Sequence, residues 1–111
     1  MARKRFLENE YRQNQWFRQL CRAFLSCRSE AAVADFLRDV ATLAELQALS
    51  ERLEVAYQVS RGRTYREITN ATGASTTTVT RVARFLIDGV GGYRRTIKNN
   101  SHHTVTTSGK R

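Results

Sequence analysis

Hydroxyl and guanidinium side chains are interleaved with apolar ones in the stretch STTTVTRVARFL, residues 75–86. An α-helix turns by about 100° per residue, so the spacing sorts these residues onto two faces. With the first valine at 0°, one face (within about 60°) carries Val79, Val82, Ala83 and Leu86. The opposite face (between about 100° and 200°) carries Thr77, Thr80, Arg81 and Arg84. The pattern predicts a helix that buries valines and exposes hydrogen-bonding groups.

The chemistry of that exposed face suits the edges of base pairs. Arginine can donate two hydrogen bonds to guanine O6 and N7, and threonine can bond base edges or touch a thymine methyl group. Consecutive threonines are poor helix formers, so their presence in a helix calls for another reason. Their side chains are small and carry hydroxyl groups, which allows close approach to a duplex. A solvent-exposed surface helix is the simpler alternative. We expect a recognition helix in the major groove, with the base-reading residues Thr76, Thr77, Thr80, Arg81 and Arg84.

The charge of the chain is concentrated beside this helix. Residues 1–60 hold nine Lys and Arg against eight Asp and Glu, whereas residues 61–111 hold ten against two, so the second part carries +8 of the total +9. Such asymmetry indicates a surface that faces a polyanion. Phosphate contacts add affinity without sequence information. The residues predicted to make them are Arg63, Arg66, Ser75, Arg94, Arg95 and Lys98.

A short helix and a glycine turn precede the predicted recognition helix. TYRE (residues 64–67) is a capping box that opens the short helix, and Gly73 ends it. Counted from Tyr65, Ile68, Gly73, Val79 and Val82 occupy the apolar and glycine positions of a twenty-residue helix-turn-helix motif. Thr69 departs from the alanine that is commonest at its position. We therefore predict a helix-turn-helix over residues 64–87.

The remainder of the chain also favours helices, because it contains no proline. Ser29 is the predicted N-cap of one helix. TLAE (residues 42–45) is a capping box that opens the next helix, which should stop near Gly62. A last short helix is predicted around residues 93–97. Residues 99–111 are polar, and we expect them to be disordered. A wide apolar stripe consists of Tyr11, Trp16, Phe17, Leu20, Phe24, Phe36 and Leu37. The sequence predicts an all-α fold.

Several classes of protein and site are not expected. His102 and His103 lie in the polar tail without a carboxylate or cysteine partner, so we predict neither catalysis nor a metal site nor a cofactor. No apolar run is long enough to cross a membrane, and basic residues 3–5 precede no apolar segment typical of a secretory signal. Cys21 and Cys27 have neither a metal-site nor a disulfide spacing, which fits the reducing cytoplasm.

A family resemblance rests on TLAELQALSERLEVAYQVSRGRTYREITNATGASTTTVTRVARFL, followed by GGY. This segment resembles the Trp repressor superfamily, and most closely its YerC/YecD-type branch. The resemblance implies one helical domain over residues 1–98, in which helices within residues 8–61 interlock with a second copy and paired helix-turn-helix units enter successive major grooves. The apolar stripe then forms the dimer core. By itself the stripe is also compatible with a monomeric bundle.

The resemblance also implies a site for an effector. The tryptophan repressor holds its corepressor between two arginines, near a threonine that opens the third helix, and the matching residues are Arg52, Arg81 and Thr42. A glycine follows the second arginine in that repressor, whereas Val82 follows it in this chain. Because a valine fills volume that the indole ring needs, we do not expect tryptophan binding, and the effector, if one exists, is unknown.

We predict a cytoplasmic bacterial transcription regulator, a repressor, that binds double-stranded DNA as a homodimer. The main alternative is a helix-turn-helix module for dimerisation or protein interaction, since a fold does not guarantee its usual function. A protein-docking helix would present an aromatic or leucine anchor in place of the threonines and arginines. RNA binding is less favoured because no aromatic stacking platform lies among the basic residues.

Overall fold

The computed structural model describes residues 5–100, and that part of the chain contains α-helices and no strand. A single 3-10 turn at Tyr11–Gln13 precedes the helices. The helices are α1 (Gln15–Ser26), α2 (Glu30–Val40), α3 (Leu43–Ser60), α4 (Tyr65–Thr72), α5 (Thr76–Asp88) and α6 (Gly92–Asn99). The predicted all-α class is confirmed. Most of the tail predicted to be disordered, including His102 and His103, lies outside the described residues.

The chain divides into two compact units, Met1–Leu46 and Gln47–Arg111, and the boundary falls within α3. The domain predicted for residues 1–98 remains a prediction. In the first unit, Asn14 caps α1 and Ser29 caps α2, as their side-chain oxygens accept backbone N–H groups of the first helical turn. The ring of Phe17 packs edge-to-face on that of Tyr11, with 5.1 Å between the ring centroids, and Phe24 packs in the same way on Phe36, with 5.3 Å between them.

The first unit leaves several large apolar side chains open to solvent. No residue of α1 or α2 is buried. Trp16 is 69% exposed and Leu25 is 84% exposed, although both lie on helices with aromatic contacts. Exposed apolar side chains that cluster on a folded protein are typical of interaction sites.

The second unit has a small core to which every helix of the unit contributes. Its buried members are Val55, Ala56, Ile68, Ala74, Val79 and Val82, with Val59, Tyr93 and Ile97 packed against them. The predicted capping box opens α3: the Glu45 N–H donates to Thr42 Oγ1 at 3.1 Å, and the Thr42 N–H donates to Glu45 Oε1 at 2.8 Å. The helix ends before Gly62, whose φ of +80° is the left-handed conformation that favours glycine. The core therefore holds α4, α5 and α6 against α3.

Candidate nucleic-acid interface

Helix α4 begins at a complete capping box. The Thr64 hydroxyl accepts the Glu67 N–H at 3.1 Å, and the Glu67 carboxylate accepts the Thr64 N–H at 2.9 Å. The hydrogen bonds from Thr64 to the charged carboxylate lower the pKa of Glu67 below its ordinary value. Ile68, on the opposite side, is fully buried. Both the start and the buried face of α4 agree with the sequence prediction.

The turn between α4 and α5 is fixed by a left-handed glycine and a threonine side chain. Gly73 ends α4 with φ +78°. Thr72 Oγ1 donates to the Ile68 carbonyl at 2.7 Å and accepts the Ala74 N–H at 3.0 Å, while the Ala74 side chain is buried in the core. Sequence reasoning missed this role of Thr72. A threonine immediately before the turn glycine was its only signal.

Helix α5 begins at Ser75, as predicted. The Ser75 hydroxyl accepts the Thr78 N–H and donates to Thr78 Oγ1, each at 3.1 Å. One face of α5 is buried, because Val79 and Val82 are at most 1% exposed. The five predicted base-reading residues are all exposed, and we call them the polar face of α5: Thr76, Thr77, Thr80, Arg81 and Arg84. The last four lie opposite the valines, whereas Thr76, in the first turn, lies about 60° from Val79. The predicted division of the helix into two faces is thus confirmed, whereas contact with bases remains a prediction.

The predicted phosphate-contacting residues differ in how the protein uses them. Arg63 just before α4, Arg66 on α4, and Arg95 and Lys98 on α6 are exposed. Ser75 is exposed although its hydroxyl is engaged in the helix cap. Arg94 is exposed too, but its Nη1 donates to the carbonyls of Ile87 at 3.0 Å and Leu86 at 3.4 Å. Its guanidinium therefore binds the carboxyl end of α5. The phosphate contacts themselves remain predictions.

Two of the three predicted effector residues share a pocket. Arg52 on α3 and Arg81 on α5 line a cavity of about 670 Å³ within the second unit, and Thr42 is not among its lining residues. Val82 and Tyr93 form part of the apolar wall. Burial raises the pKa of the Tyr93 phenol, and the charge of Arg52 opposes that shift. A volume of about 670 Å³ lies in the range of small-molecule sites. Volume alone therefore does not exclude a small molecule, and the side chains that line the cavity decide which one fits.

The carboxyl end of α5 exposes apolar side chains that the sequence interpretation did not single out. Phe85 is 56% exposed, Ile87 is 69% exposed and Val90, just beyond the helix, is 67% exposed. Helical spacing counted from the valines places Phe85 and Ile87 away from the centre of the polar face. The second unit thus also exposes apolar side chains.

Residues 5–100 show neither a cluster of metal-binding side chains nor a membrane-spanning helix. Within this range, no group of three or more His, Cys, Asp or Glu side chains is arranged to hold a metal ion. None of the helices described is long and apolar enough to cross a membrane.

Comparison with known proteins assigns the family. The model of the Trp repressor protein family matches residues 14–101. The chain belongs to the Trp repressor family. Membership confirms the resemblance seen in the sequence, and it indicates a DNA-binding regulator.

Proteins similar to this chain come from several bacteria. The chain is 36% identical over 92 residues to YerC of Bacillus subtilis, a span that covers 83% of this chain and 88% of YerC. The crystal structure of a TrpR-like protein from Eubacterium eligens has a TM-score of 0.76 and 41% identity, covering 78% of this chain and 90% of that one. The crystal structure of a candidate Trp repressor from Staphylococcus aureus has a TM-score of 0.78 and 32% identity, and the match covers 85% of this chain and 94% of that one. The Trp repressor fold thus extends over most of the chain.

Proposed function

We propose that the protein is a sequence-specific regulator of transcription that binds double-stranded DNA through α4 and α5. The observation that carries the proposal is the exposed polar face of α5, in which Thr77, Thr80, Arg81 and Arg84 stand opposite the buried valines Val79 and Val82. A helix anchored from behind can enter a major groove and bring its exposed hydroxyl and guanidinium groups to base edges. The base-reading residues are those of the polar face, and Arg63, Arg66, Ser75, Arg95 and Lys98 contact phosphates.

The protein acts as a homodimer in this proposal. Its support is the apolar surface of α1, where Trp16 and Leu25 are mostly exposed, together with Phe85 and Ile87 at the end of α5. Burial of apolar surface against a second copy is favourable by about 25 cal/mol per Å². Light scattering at micromolar concentration should give the mass of a dimer. The mass of a monomer would contradict this part of the proposal.

Tryptophan is not the effector in this proposal. Val82 is 1% exposed and belongs both to the core and to the wall of the cavity lined by Arg52 and Arg81. The sequence resemblance matches Val82 to a glycine of the tryptophan repressor, and close-packed interiors do not readily yield the volume of an isopropyl group. The proposed regulator is a cytoplasmic bacterial repressor whose DNA binding is independent of tryptophan.

Selection of binding sites from a random duplex pool tests the proposed function. The full chain is incubated with the pool at physiological salt, with and without tryptophan, and bound sequences are determined after several rounds. We expect a two-fold symmetric site with half-sites about one helical turn apart. The same site should be selected with and without tryptophan. A variant with Thr77→Val and Arg81→Met is the matched control, since it keeps the helix and removes hydrogen-bonding groups from the polar face.

The outcomes separate the proposed function from its main alternative. Absence of any enriched sequence with the wild-type chain would favour a protein-interaction module. Enrichment that persists in the double variant would contradict base readout by α5. Enrichment only in the presence of tryptophan would contradict the role given to Val82.

A further inference from the structure

The carboxyl end of α5 is closed by a side chain from α6. The Phe85 carbonyl accepts the backbone N–H of Gly89 at 2.9 Å. Arg94 Nη1 then donates to the next two carbonyls, Leu86 at 3.4 Å and Ile87 at 3.0 Å. The last carbonyls of a helix have no partners within the helix and form its negative end, so a guanidinium there is stabilising.

The helix that supplies Arg94 is itself anchored. Tyr93 and Ile97, on either side of Arg94 along α6, pack against the core that contains Val79 and Val82. The turn before α6 passes through Gly91, which is buried and has φ +96°. A Cβ at Gly91 would lie 3.7 Å from Arg94 Nη2 and 3.0 Å from Arg95 Nη1, so both guanidinium groups lie close to this turn. Arg94 thus connects an anchored helix to the end of α5.

The bound carbonyls are far from Thr77, at the amino end of the polar face, although Arg84 lies only two or three residues from them. From Thr77 to Ile87 is ten residues, which at 1.5 Å per residue is about 15 Å along α5. That length exceeds the Debye length of roughly 10 Å at 0.1 M salt, so salt screens the charge of Arg94 from groups near Thr77.

Helix α5 is held at three places. Ser75 caps its amino end, Val79 and Val82 anchor its middle, and Arg94 binds its carboxyl end.

We propose that Arg94 is a positioning residue for sequence recognition and that it does not serve as a phosphate contact. By binding the Leu86 and Ile87 carbonyls, its guanidinium sets the orientation of α5 on the core, and hence the placement of the polar face against base edges. The inference rests on the proposed DNA-binding function. It assigns different roles to two adjacent arginines, because Arg95 remains a predicted phosphate contact.

A matched pair of variants tests this assignment. Arg94→Met and Arg95→Met remove the same charge and the same donors from neighbouring residues of α6, and each keeps an unbranched side chain. The full chain and both variants are titrated with the selected duplex and with a random duplex over a series of salt concentrations. Hydrogen exchange of the Gly89 N–H, which bonds the Phe85 carbonyl at the end of α5, is measured on the free proteins.

We expect the two variants to separate in every readout. Arg94→Met should lower affinity for the selected duplex by roughly tenfold relative to the random duplex, keep the salt dependence, and accelerate exchange at Gly89. Arg95→Met should weaken both duplexes equally, reduce the slope of log affinity against log salt by about 0.9, and leave Gly89 exchange unchanged.

Other results would overturn the inference in identifiable ways. Equal losses on both duplexes with a reduced salt slope in Arg94→Met would make Arg94 a phosphate contact. Unchanged discrimination and unchanged Gly89 exchange in that variant would remove its positioning role. If the wild-type chain binds neither duplex, the proposed function fails, and the exchange of Gly89 still decides whether Arg94 holds the end of α5.

Discussion

Ser75 and Thr78 are joined by two hydrogen bonds at the start of α5. The Ser75 hydroxyl accepts the Thr78 N–H and donates to the Thr78 hydroxyl, both at 3.1 Å. The same serine is exposed at the end of the helix that we propose faces DNA. One side chain is thus assigned two roles, a helix cap that the geometry defines and a phosphate contact that remains a proposal.

Substitution of Ser75 separates these roles. Ser75→Ala should lower the free energy of unfolding by about 1 kcal/mol, because the Thr78 N–H loses its acceptor. Ser75→Asp should retain stability, since aspartate is an equally good N-cap, but it should weaken binding to every duplex by charge repulsion. Chemical denaturation and duplex titration measure the two effects. Wild-type affinity in Ser75→Asp would place Ser75 away from phosphate.

Base-reading and phosphate-contacting residues should differ in sequence dependence. Arg81→Ala or Thr77→Ala should cost on the order of 1–3 kcal/mol on the selected site and relax preference there, because each removes groups that bond base edges. Lys98→Ala should weaken selected and random duplexes alike and flatten the salt dependence. Titration of both duplexes at several salt concentrations makes the comparison. Equal losses on both duplexes from all three variants would refute the division of roles.

The capping carboxylate of Glu67 should contribute a small pH dependence to stability. Its hydrogen bonds with Thr64 hold the pKa of Glu67 in the folded protein below the ordinary value. The unfolded chain therefore binds the proton more tightly, so the contribution is present above the ordinary pKa and is lost as the pH falls through the folded pKa. Glu67→Gln keeps the capping acceptor without the charge and should abolish this dependence. Carboxyl titration by NMR and denaturation from pH 7 to 3 test it, and a pKa at or above the ordinary value would contradict it.

Gly73 should be more sensitive to substitution than Gly92. Gly73→Ala forces a side chain into the left-handed conformation at φ +78° and should cost about 1–2 kcal/mol of unfolding free energy. No atom lies within 4 Å of a Cβ built at either glycine, and Gly92 has no positive φ, so Gly92→Ala is the control for the conformational effect alone. Thermal denaturation compares them. Equal stability of the two variants would show that the turn relaxes.

The Val82 side chain should determine whether tryptophan binds in the cavity lined by Arg52 and Arg81. The wild-type chain should give no heat of binding in calorimetry with tryptophan. Val82→Ala should lower the free energy of unfolding by about 2 kcal/mol, because it removes buried methyl groups and leaves a void. The shorter side chain frees space beside Arg52 and Arg81, so weak tryptophan binding is expected in this variant. Binding by the wild-type chain would contradict the exclusion.

Much of the candidate site was predictable because its signals are local. Thr64, Gly73 and Ser75 act on backbone groups within three or four residues, so sequence spacing alone locates the ends of α4 and α5. The burial of Val79 and Val82 follows from helical periodicity in the same way.

Other features depend on the path of the chain and carried no such signal. The contact of Arg94 with the Leu86 and Ile87 carbonyls requires that the glycine-rich turn bring α6 back to the end of α5. The cavity around Arg52 and Arg81 depends on how α3, α5 and α6 pack. A basic residue after a helix reads the same in sequence whether it binds a phosphate or a carbonyl oxygen.

The exposed apolar side chains of α1 connect folding to protein concentration. Under the proposed dimer, Trp16 and Leu25 leave water only when a second chain arrives, so association and folding of the first unit are one equilibrium. Its melting temperature then rises with protein concentration, and occupancy of a two-fold site rises more steeply than the first power of the amount of chain. A cell could thus switch the regulated promoter by synthesis and degradation of the protein alone, with no small molecule required.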